Sequence, residues 1–216
     1  MLKSKKNVFW EALVITIAIF VIGLFLGILV ENSNSNKISD LYIKSEIDLV
    51  DGTTMLRLSE DSEISCDIIK KENINFANKI YEEAKILEKY EDSGKLTEGM
   101  KLLHKKYDLL RTLIWLSNQK SLERCNNYNL MVYLYDYKPE DSNKKAIQNI
   151  WSKVLLDVKN KNKDLLLLPI ATNQNLTSLN ILLEEYNIDS KPAIIINNDK
   201  VIYSLENIEK IESLLN

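Results

Sequence analysis

The side chains with the greatest chemical potential in this chain are two cysteines, Cys66 and Cys125, and a single histidine, His104. A thiolate attacks disulfides and binds metals, and an imidazole is the commonest general base. The cysteines are about sixty residues apart, which matches neither a zinc site nor a redox motif. They are expected to form a structural disulfide, with two buried free thiols or a redox-active pair as the alternatives. No metal site and no cofactor is predicted.

His104 falls within a long predicted helix and is expected to be a solvated residue of that helix. Ser142 is a further candidate nucleophile, but a serine needs a neighbouring base. The only histidine belongs to a different predicted element, so no catalytic residue is predicted.

Two long helices are predicted to position the cysteines, at about 65–90 and 97–120, with a break at the sequence EDSG (91–94). Both carry an apolar stripe, and the spacing of the second is that of a heptad seam. The first stripe comprises Ile69, Phe76, Ile80 and Leu87, and the second Leu96, Met100, Leu103, Tyr107, Leu110 and Ile114. A short break between such helices predicts an antiparallel hairpin, with self-association or a partner's helix as alternatives. The fold-back places both cysteines at one end, and their bridge would contribute about 4 kcal/mol.

The N-terminal thirty residues differ from the rest of the chain. Ala12–Val30 carries no charge, and its nineteen residues at about 1.5 Å each approach the thickness of a bilayer's hydrocarbon core. The run exceeds a signal-peptide core and no small-residue cleavage site follows it, so an uncleaved anchor is predicted over residues 8–30. Residues 1–30 thus form a basic tail and anchor, and 31–37 a polar linker.

Charge supports an orientation for this anchor. Lys3, Lys5 and Lys6 precede the apolar run, so the N-terminus is expected in the cytoplasm and the remainder outside the cell membrane. The whole chain has a net charge of −3 and no basic block beyond its first residues, so nucleic acid is not expected as a partner.

Residues 38–127 are predicted to be helical. From Ile38 to Leu58, apolar residues recur at helical spacing, at Ile43, Ile47, Val50 and Leu58, interrupted by Gly52. After residue 127 the pattern changes to β-α-β-α-β-β-α. The predicted strands are 129–137, 164–171, 193–196 and 201–203, and the predicted helices 142–159, 176–186 and 206–215. The first of these helices is expected to bury Ala146, Ile147, Ile150, Trp151, Val154, Leu155 and Val158.

This element order, with a proline opening the third strand, resembles the thioredoxin fold over residues 128–216. The motif that carries the resemblance is Tyr186, Ile188, Ser190 and Pro192. In that family the proline follows a cis peptide bond and faces the active site, which implies a cis bond between Lys191 and Pro192. The expected fold is α/β: a transmembrane helix, a helical hairpin and a thioredoxin-like domain.

The family's C-x-x-C motif lies where the first strand leads into the first helix. Here that place reads DYKPEDSNKK (136–145) and contains no cysteine. Asp141 and Ser142 instead suit a helix N-cap. The resemblance therefore implies a non-catalytic binding or scaffold module, with Lys191, Pro192, Asp141 and Ser142 as groove candidates and a protein or peptide as partner. The alternatives are an oxidoreductase that uses Cys66 or Cys125, and a membrane assembly factor that acts through its helices.

Overall fold

A computed structural model gives the structure of the chain and describes residues 5–59, 63–92, 97–125 and 127–215. The described part is mostly helical, with one small mixed sheet. The helices are α1 Lys5–Ser59, α2 Cys66–Asp92, α3 Glu98–Arg124, α4 Ser142–Lys161, α5 Thr177–Glu185 and α6 Ile208–Ser213. The strands are β1 Asn129–Tyr135, β2 Leu165–Ala171, β3 Ala193–Ile196 and β4 Lys200–Ile202. The chain divides into two compact units, Met1–Ile43 and Lys44–Asn216.

The first unit contains a segment that is long and apolar enough to cross a membrane, Val8–Val30. Its 23 residues exceed the roughly twenty that a bilayer core requires. Thr16 lies within the segment, and its hydroxyl donates to the carbonyl of Ala12 at 2.9 Å, so this polar group is satisfied within its own helix. Residues 31–37, expected to be a linker, are helical and belong to α1.

In the second unit, the C-terminal end of α1 packs differently from the prediction. The helix continues through Gly52, where an added Cβ would lie 2.9 Å from a methyl group of Leu113 and 3.1 Å from the ring of Phe76. Glycine therefore permits a close approach of α1 to α2 and α3. The residues that face inward are Ser45, Asp48, Gly52 and Ser59, whereas Ile43, Ile47, Val50 and Leu58 are exposed. The salt bridge from Asp48 to Lys79 explains how a charged side chain can lie on the inner face.

The helical hairpin and its disulfide are confirmed. The predicted stripe of α2 and the described members of the α3 seam, Met100 to Ile114, are buried. Leu96 and the turn at 93–94 lie outside the described residues. Cys66 begins α2 and Cys125 caps α3, and the two are bridged with a Cα–Cα distance of 5.4 Å. That distance lies well inside the span that a disulfide accommodates.

The sheet has the strand order β2-β1-β3-β4. β1 pairs parallel with β2 and antiparallel with β3, and β3 pairs antiparallel with β4. The parallel β1–β2 pair and the antiparallel β3–β4 pair are those predicted from the sequence, whereas no prediction was made for the pairing of β1 with β3. One face of the sheet packs against α4 and α6 through a cluster that includes Met131, Tyr133, Trp151, Leu155 and Ile211.

The edge of the sheet at β2 is covered by α2 and α3. The N–H of Ala171 points away from β1 and donates to the Asp108 carboxylate of α3 at 3.1 Å. Pro169, two residues earlier, has the same orientation in the strand and carries no N–H. At two outward positions of this edge, a proline and a capping carboxylate thus leave no free N–H with which another strand could pair.

Two predictions about α4 have different outcomes. Asp141 is its N-cap, as expected, and its side chain accepts a hydrogen bond from the N–H of Asn143 at 2.8 Å. The predicted apolar face is only partly correct, because Ala146, Ile147 and Ile150 are exposed and Gln148 is buried in their place. Gln148 is held inside by a hydrogen bond to the carbonyl of Asp136 at 3.0 Å.

Candidate binding groove

A groove of about 370 Å³ lies beside the sheet in the second unit. Its volume falls within the range of small-ligand sites. One wall is α2, through Tyr81, Ala84, Lys85, Glu88 and Glu91, and the other is α4, through Lys145, Gln148, Asn149, Ser152, Leu155 and Leu156. The floor consists of Tyr133 and Tyr135 of β1 and Leu167 and Pro169 of β2, and one end is lined by His104, Arg111 and the segment 136–139.

The residues that line each wall recur at helical spacing, and the two walls are similar in length. Tyr81 to Glu91 on α2 covers eleven residues and Lys145 to Leu156 on α4 covers twelve, which at 1.5 Å per residue is about 17 Å. That length would accommodate four or five residues of an extended chain at roughly 3.3 Å each. The groove therefore has the proportions of a site for a short peptide segment.

The end of the groove lined by His104, here called the inner end, brings together ionisable groups from α2, α3 and the segment after β1. The Nδ1 atom of His104 lies 3.6 Å from Glu91, and its Nε2 atom lies 3.5 Å from Asp108. Its ring packs on that of Tyr137 with a centroid distance of 4.1 Å. The prediction that His104 is a solvated helix residue is therefore wrong, because both nitrogens face carboxylates and its side chain is only 17% exposed.

Glu91 ties α2 to the segment that follows β1. It accepts a hydrogen bond from the Tyr137 hydroxyl at 2.9 Å and forms a salt bridge with Lys138 at 3.5 Å. Burial by itself would raise the pKa of the Glu91 carboxyl, but its interactions with His104, Tyr137 and Lys138 lower it below its ordinary value. Burial and the nearby Glu91 raise the pKa of Tyr137, so its hydroxyl remains a donor.

Asp108 is fully buried behind the inner end. Its Oδ1 atom accepts hydrogen bonds from the N–H of Ala171 and from Arg111, at 3.1 and 3.2 Å. Its Oδ2 atom faces His104 and has no hydrogen-bond partner among the described residues. Burial raises the pKa of Asp108, although Arg111, His104 and the Ala171 N–H act in the opposite direction.

The sequence-predicted groove residues lie close to this site but do not line it. Asp141 and Ser142 are exposed at the start of α4, beyond the lining segment 136–139. Ala193 pairs with Leu134, so Pro192 lies beside the end of β1, at the same end of the sheet as Tyr135. The Lys191–Pro192 bond is cis, as the resemblance implied. Binding by Lys191, Pro192, Asp141 and Ser142 stays a prediction.

The sequence contains a pattern that indicates the second buried side of α3, from which His104 and Arg111 reach the inner end. His104, Asp108, Arg111 and Trp115 recur at spacings of four, three and four on α3, next to the heptad seam. Such a second stripe indicates a helix that packs on two sides. Here α2 lies against the seam and the sheet against the second stripe.

The disulfide lies far from the groove. Cys66 begins α2, and Tyr81, the first residue of that helix to line the groove, follows 15 residues later, which at 1.5 Å each corresponds to roughly 22 Å. Cys125 is also buried, with 2% of its surface exposed. Neither sulfur can act in the groove of the folded chain, and among the described residues no cluster of three or more metal-binding side chains occurs.

We expect the stability contribution of Glu91 to depend on pH. Because the pKa of this carboxyl is lowered on folding, its contribution is complete above its ordinary value of 4.5 and is lost as the pH falls through the folded value. At pH 7, Glu91→Gln should lower the free energy of unfolding by about 1–3 kcal/mol, and the difference from wild type should shrink towards pH 3. Urea unfolding at several pH values measures this.

Glu88→Gln is the matched control, because Glu88 is exposed on the same helix and forms no hydrogen bond among the described residues. Its effect should stay within about 0.5 kcal/mol at every pH. A Glu91→Gln difference that grows as the pH falls would contradict the assignment.

Comparisons with protein-family models, with curated proteins and with solved structures gave no match for this chain. What the groove does must therefore be inferred from its own residues.

Proposed function

We propose that this chain is a single-pass membrane protein whose second unit binds an extended segment of a partner protein in the groove between α2 and α4. The observation that carries the proposal is the groove itself, about 370 Å³ in volume and lined by tyrosines, aliphatic side chains and seven charged side chains. Apolar surface combined with convergent polar groups is typical of binding sites. The proposed activity is binding without catalysis.

We further propose that residues 128–216 have a thioredoxin-like fold. Support comes from the strand order β2-β1-β3-β4, the parallel β1–β2 pair and the packing of α4 and α6 on one face. In the thioredoxin family the segment after the first strand carries the reactive cysteines. Here that segment, 136–139, lines the groove and supplies Asp136, Tyr137 and Lys138 instead. A binding function at this position fits a site that has no thiol.

The second unit is proposed to lie outside the cytoplasm. The lysines before Val8–Val30 support this orientation, and the Cys66–Cys125 disulfide is typical of an oxidising compartment. Protease added to spheroplasts should digest residues after the span. Protection there, followed by digestion after lysis, would show that the orientation is reversed.

Site-specific photocrosslinking tests the groove. A photoreactive amino acid at Ser152, which lines the groove, should capture a partner in membranes, and mass spectrometry should map the crosslink to one linear segment of that partner. The next residue, Lys153, is exposed and does not line the groove, so it is the matched control. Equal capture at Ser152 and Lys153 would contradict a groove-directed partner.

A specific observation favours the assembly-factor alternative as a second candidate. α1 exposes apolar side chains at Ile47, Val50 and Leu58, of which Val50 is 67% exposed. A photoreactive residue at Val50 would test this surface in the same experiment. Capture at Val50 without capture at Ser152 would favour assembly through α1, and a crosslink between two copies would indicate a homo-oligomer.

The oxidoreductase alternative predicts turnover that we do not expect. A thioredoxin-type reductase needs a thiolate at the start of the helix after the first strand, and residues 136–145 contain no cysteine. The full-length chain in micelles should therefore reduce insulin no faster than a heat-unfolded sample. Turnover above that level, abolished by replacing either cysteine, would establish the redox function.

A further inference from the structure

Arg111 is a buried cation with unused hydrogen-bond donors at the inner end of the groove. Only 6% of its surface is exposed, yet it lines the groove. Its one hydrogen bond among the described residues runs from Nη1 to Asp108 at 3.2 Å. A guanidinium has five N–H donors in a planar fork. A buried guanidinium with most of its donors unbonded is suited to accept a ligand that brings acceptor oxygens.

The charges around Arg111 favour an anionic ligand. Four of the groove-lining side chains are cationic, Lys85, Arg111, Lys138 and Lys145, and three are carboxylates, Glu88, Glu91 and Asp136. Two further groups lie behind the lining: Lys144, which pairs with Asp136, and Asp108, which pairs with Arg111. Cations therefore exceed carboxylates by one even with His104 neutral.

Two carboxylates at the inner end, Glu91 and Asp108, are already engaged by groups of the chain itself. Glu91 is bonded to Tyr137 and paired with Lys138. Asp108 is bonded to Ala171 and Arg111, and burial raises its pKa. By contrast, the Lys145 side chain on the opposite wall forms no salt bridge or hydrogen bond within the described part of the chain. A ligand carboxylate at the inner end would meet a cation on each side.

We propose that the inner end of the groove is a carboxylate subsite, in which Arg111 donates hydrogen bonds to a carboxylate of the bound peptide. This inference rests on the proposed peptide-binding function and specifies the chemistry of that ligand. The carboxylate comes either from the C-terminus of the peptide or from an aspartate or glutamate side chain. Lys145 adds electrostatic attraction from the facing wall.

A neighbouring hydroxyl completes the subsite. The Tyr135 hydroxyl lies 3.5 Å from Nε2 of His104 and lines the same end of the groove. It is a second donor for a ligand oxygen, because burial keeps its pKa far above its ordinary value.

Because the chain contains few histidines and arginines, NMR can observe this subsite directly. His104 is the only histidine, and the arginines are Arg57, Arg111 and Arg124. The full-length chain, labelled at histidine and arginine and held in nanodiscs, therefore gives one imidazole and three guanidinium NMR signals. Arg57, which is exposed on α1, and Arg124, beside the disulfide, are internal controls.

Four tetrapeptides serve as probes. The parent, N-acetyl-Ala-Leu-Ala-Leu, is used as the free acid and as the C-terminal amide, and the amide is also made with Asp or Asn in place of its second alanine. The free acid or the Asp amide should shift the Arg111 and His104 signals at concentrations on the order of tenfold lower than their neutral counterparts. The more effective of the two identifies the source of the carboxylate.

Variants of Arg111 confirm where the carboxylate binds. Arg111→Lys keeps the charge but loses the fork, and should reduce the preference for the acidic probes. Arg111→Gln together with Asp108→Asn removes both charges, so no buried ion is left unpaired, and should abolish that preference. The His104 signal reports whether the groove is still folded in each variant.

The remaining outcomes overturn the inference in distinguishable ways. If acidic and neutral probes shift His104 equally, the groove binds peptides but contains no carboxylate subsite. If the acidic probes shift Arg57 or Arg124 instead of Arg111, the carboxylate binds elsewhere. If no probe shifts any signal up to about 10 mM, well above the dissociation constant of a weak complex, both the subsite and the proposed peptide binding fail.

Discussion

Replacing both Cys66 and Cys125 with alanine is expected to lower the free energy of unfolding of the second unit by about 2–4 kcal/mol. The bridge joins residues 59 apart in sequence at a Cα–Cα distance of 5.4 Å, so it restricts a large loop of the unfolded chain. Urea unfolding of the full-length protein, followed by the fluorescence of the buried Trp115 and Trp151, measures the loss.

The site of the disulfide predicts what this variant should retain. The bridge closes one end of the hairpin, whereas Glu91 and His104 lie towards the other end. At low temperature the His104 NMR signal of the double variant should therefore match that of the wild type, and partner capture at Ser152 should persist. An unchanged free energy of unfolding would contradict a structural role, and loss of the His104 signal position would show that the groove depends on the bridge.

The sequence predicted the secondary structure and pairing of the C-terminal region well. Strand β3 has the predicted bounds, 193–196, and β1 and β2 are parallel as expected. These predictions succeeded because the strand segments are short, apolar runs bounded by polar turns, which leaves few alternatives. The hairpin was equally clear, since its heptad seam extends over several helical turns.

The candidate site was much harder to predict. The heptad seam accounted for α3 so fully that His104, which lies beside it, was expected to be solvated. In the structure that side of α3 packs against the sheet, a long-range contact that helical periodicity alone does not specify. Only the location of the segment after β1 was indicated in advance, through the resemblance to the thioredoxin fold.

The errors in predicting which side of α1 and of α4 is buried have a related cause. Asp48 and Gln148 face inward, where a partner from another element bonds one polar atom of each, namely Lys79 and the carbonyl of Asp136. The apolar residues that a periodicity argument would place inside, such as Val50, are then exposed. Periodicity identifies the stripes of a helix, whereas tertiary hydrogen bonds and salt bridges decide which stripe is buried.

Asp108→Ala is expected to be the most destabilising substitution at the candidate site, with a loss of about 3–5 kcal/mol. It would leave the buried Arg111 without a counter-ion and the N–H of Ala171 without its acceptor, at an edge of the sheet that α2 and α3 shield from water. Urea unfolding of the full-length chain at pH 7 measures the effect.

Asp108→Asn separates the two contributions in that loss. An asparagine oxygen can still accept from the N–H of Ala171, so only the charge opposite Arg111 is removed, and the loss should fall to the order of 1–3 kcal/mol. Adding Arg111→Gln should then cost less than it does in the wild-type background, because the ion that it removes has already lost its partner. A coupling free energy of at least about 0.5 kcal/mol is expected for groups in direct contact. Additive effects of Asp108→Asn and Arg111→Gln would mean that the two side chains are not paired in solution, and the carboxylate subsite would then lack the group that fixes the position of its arginine.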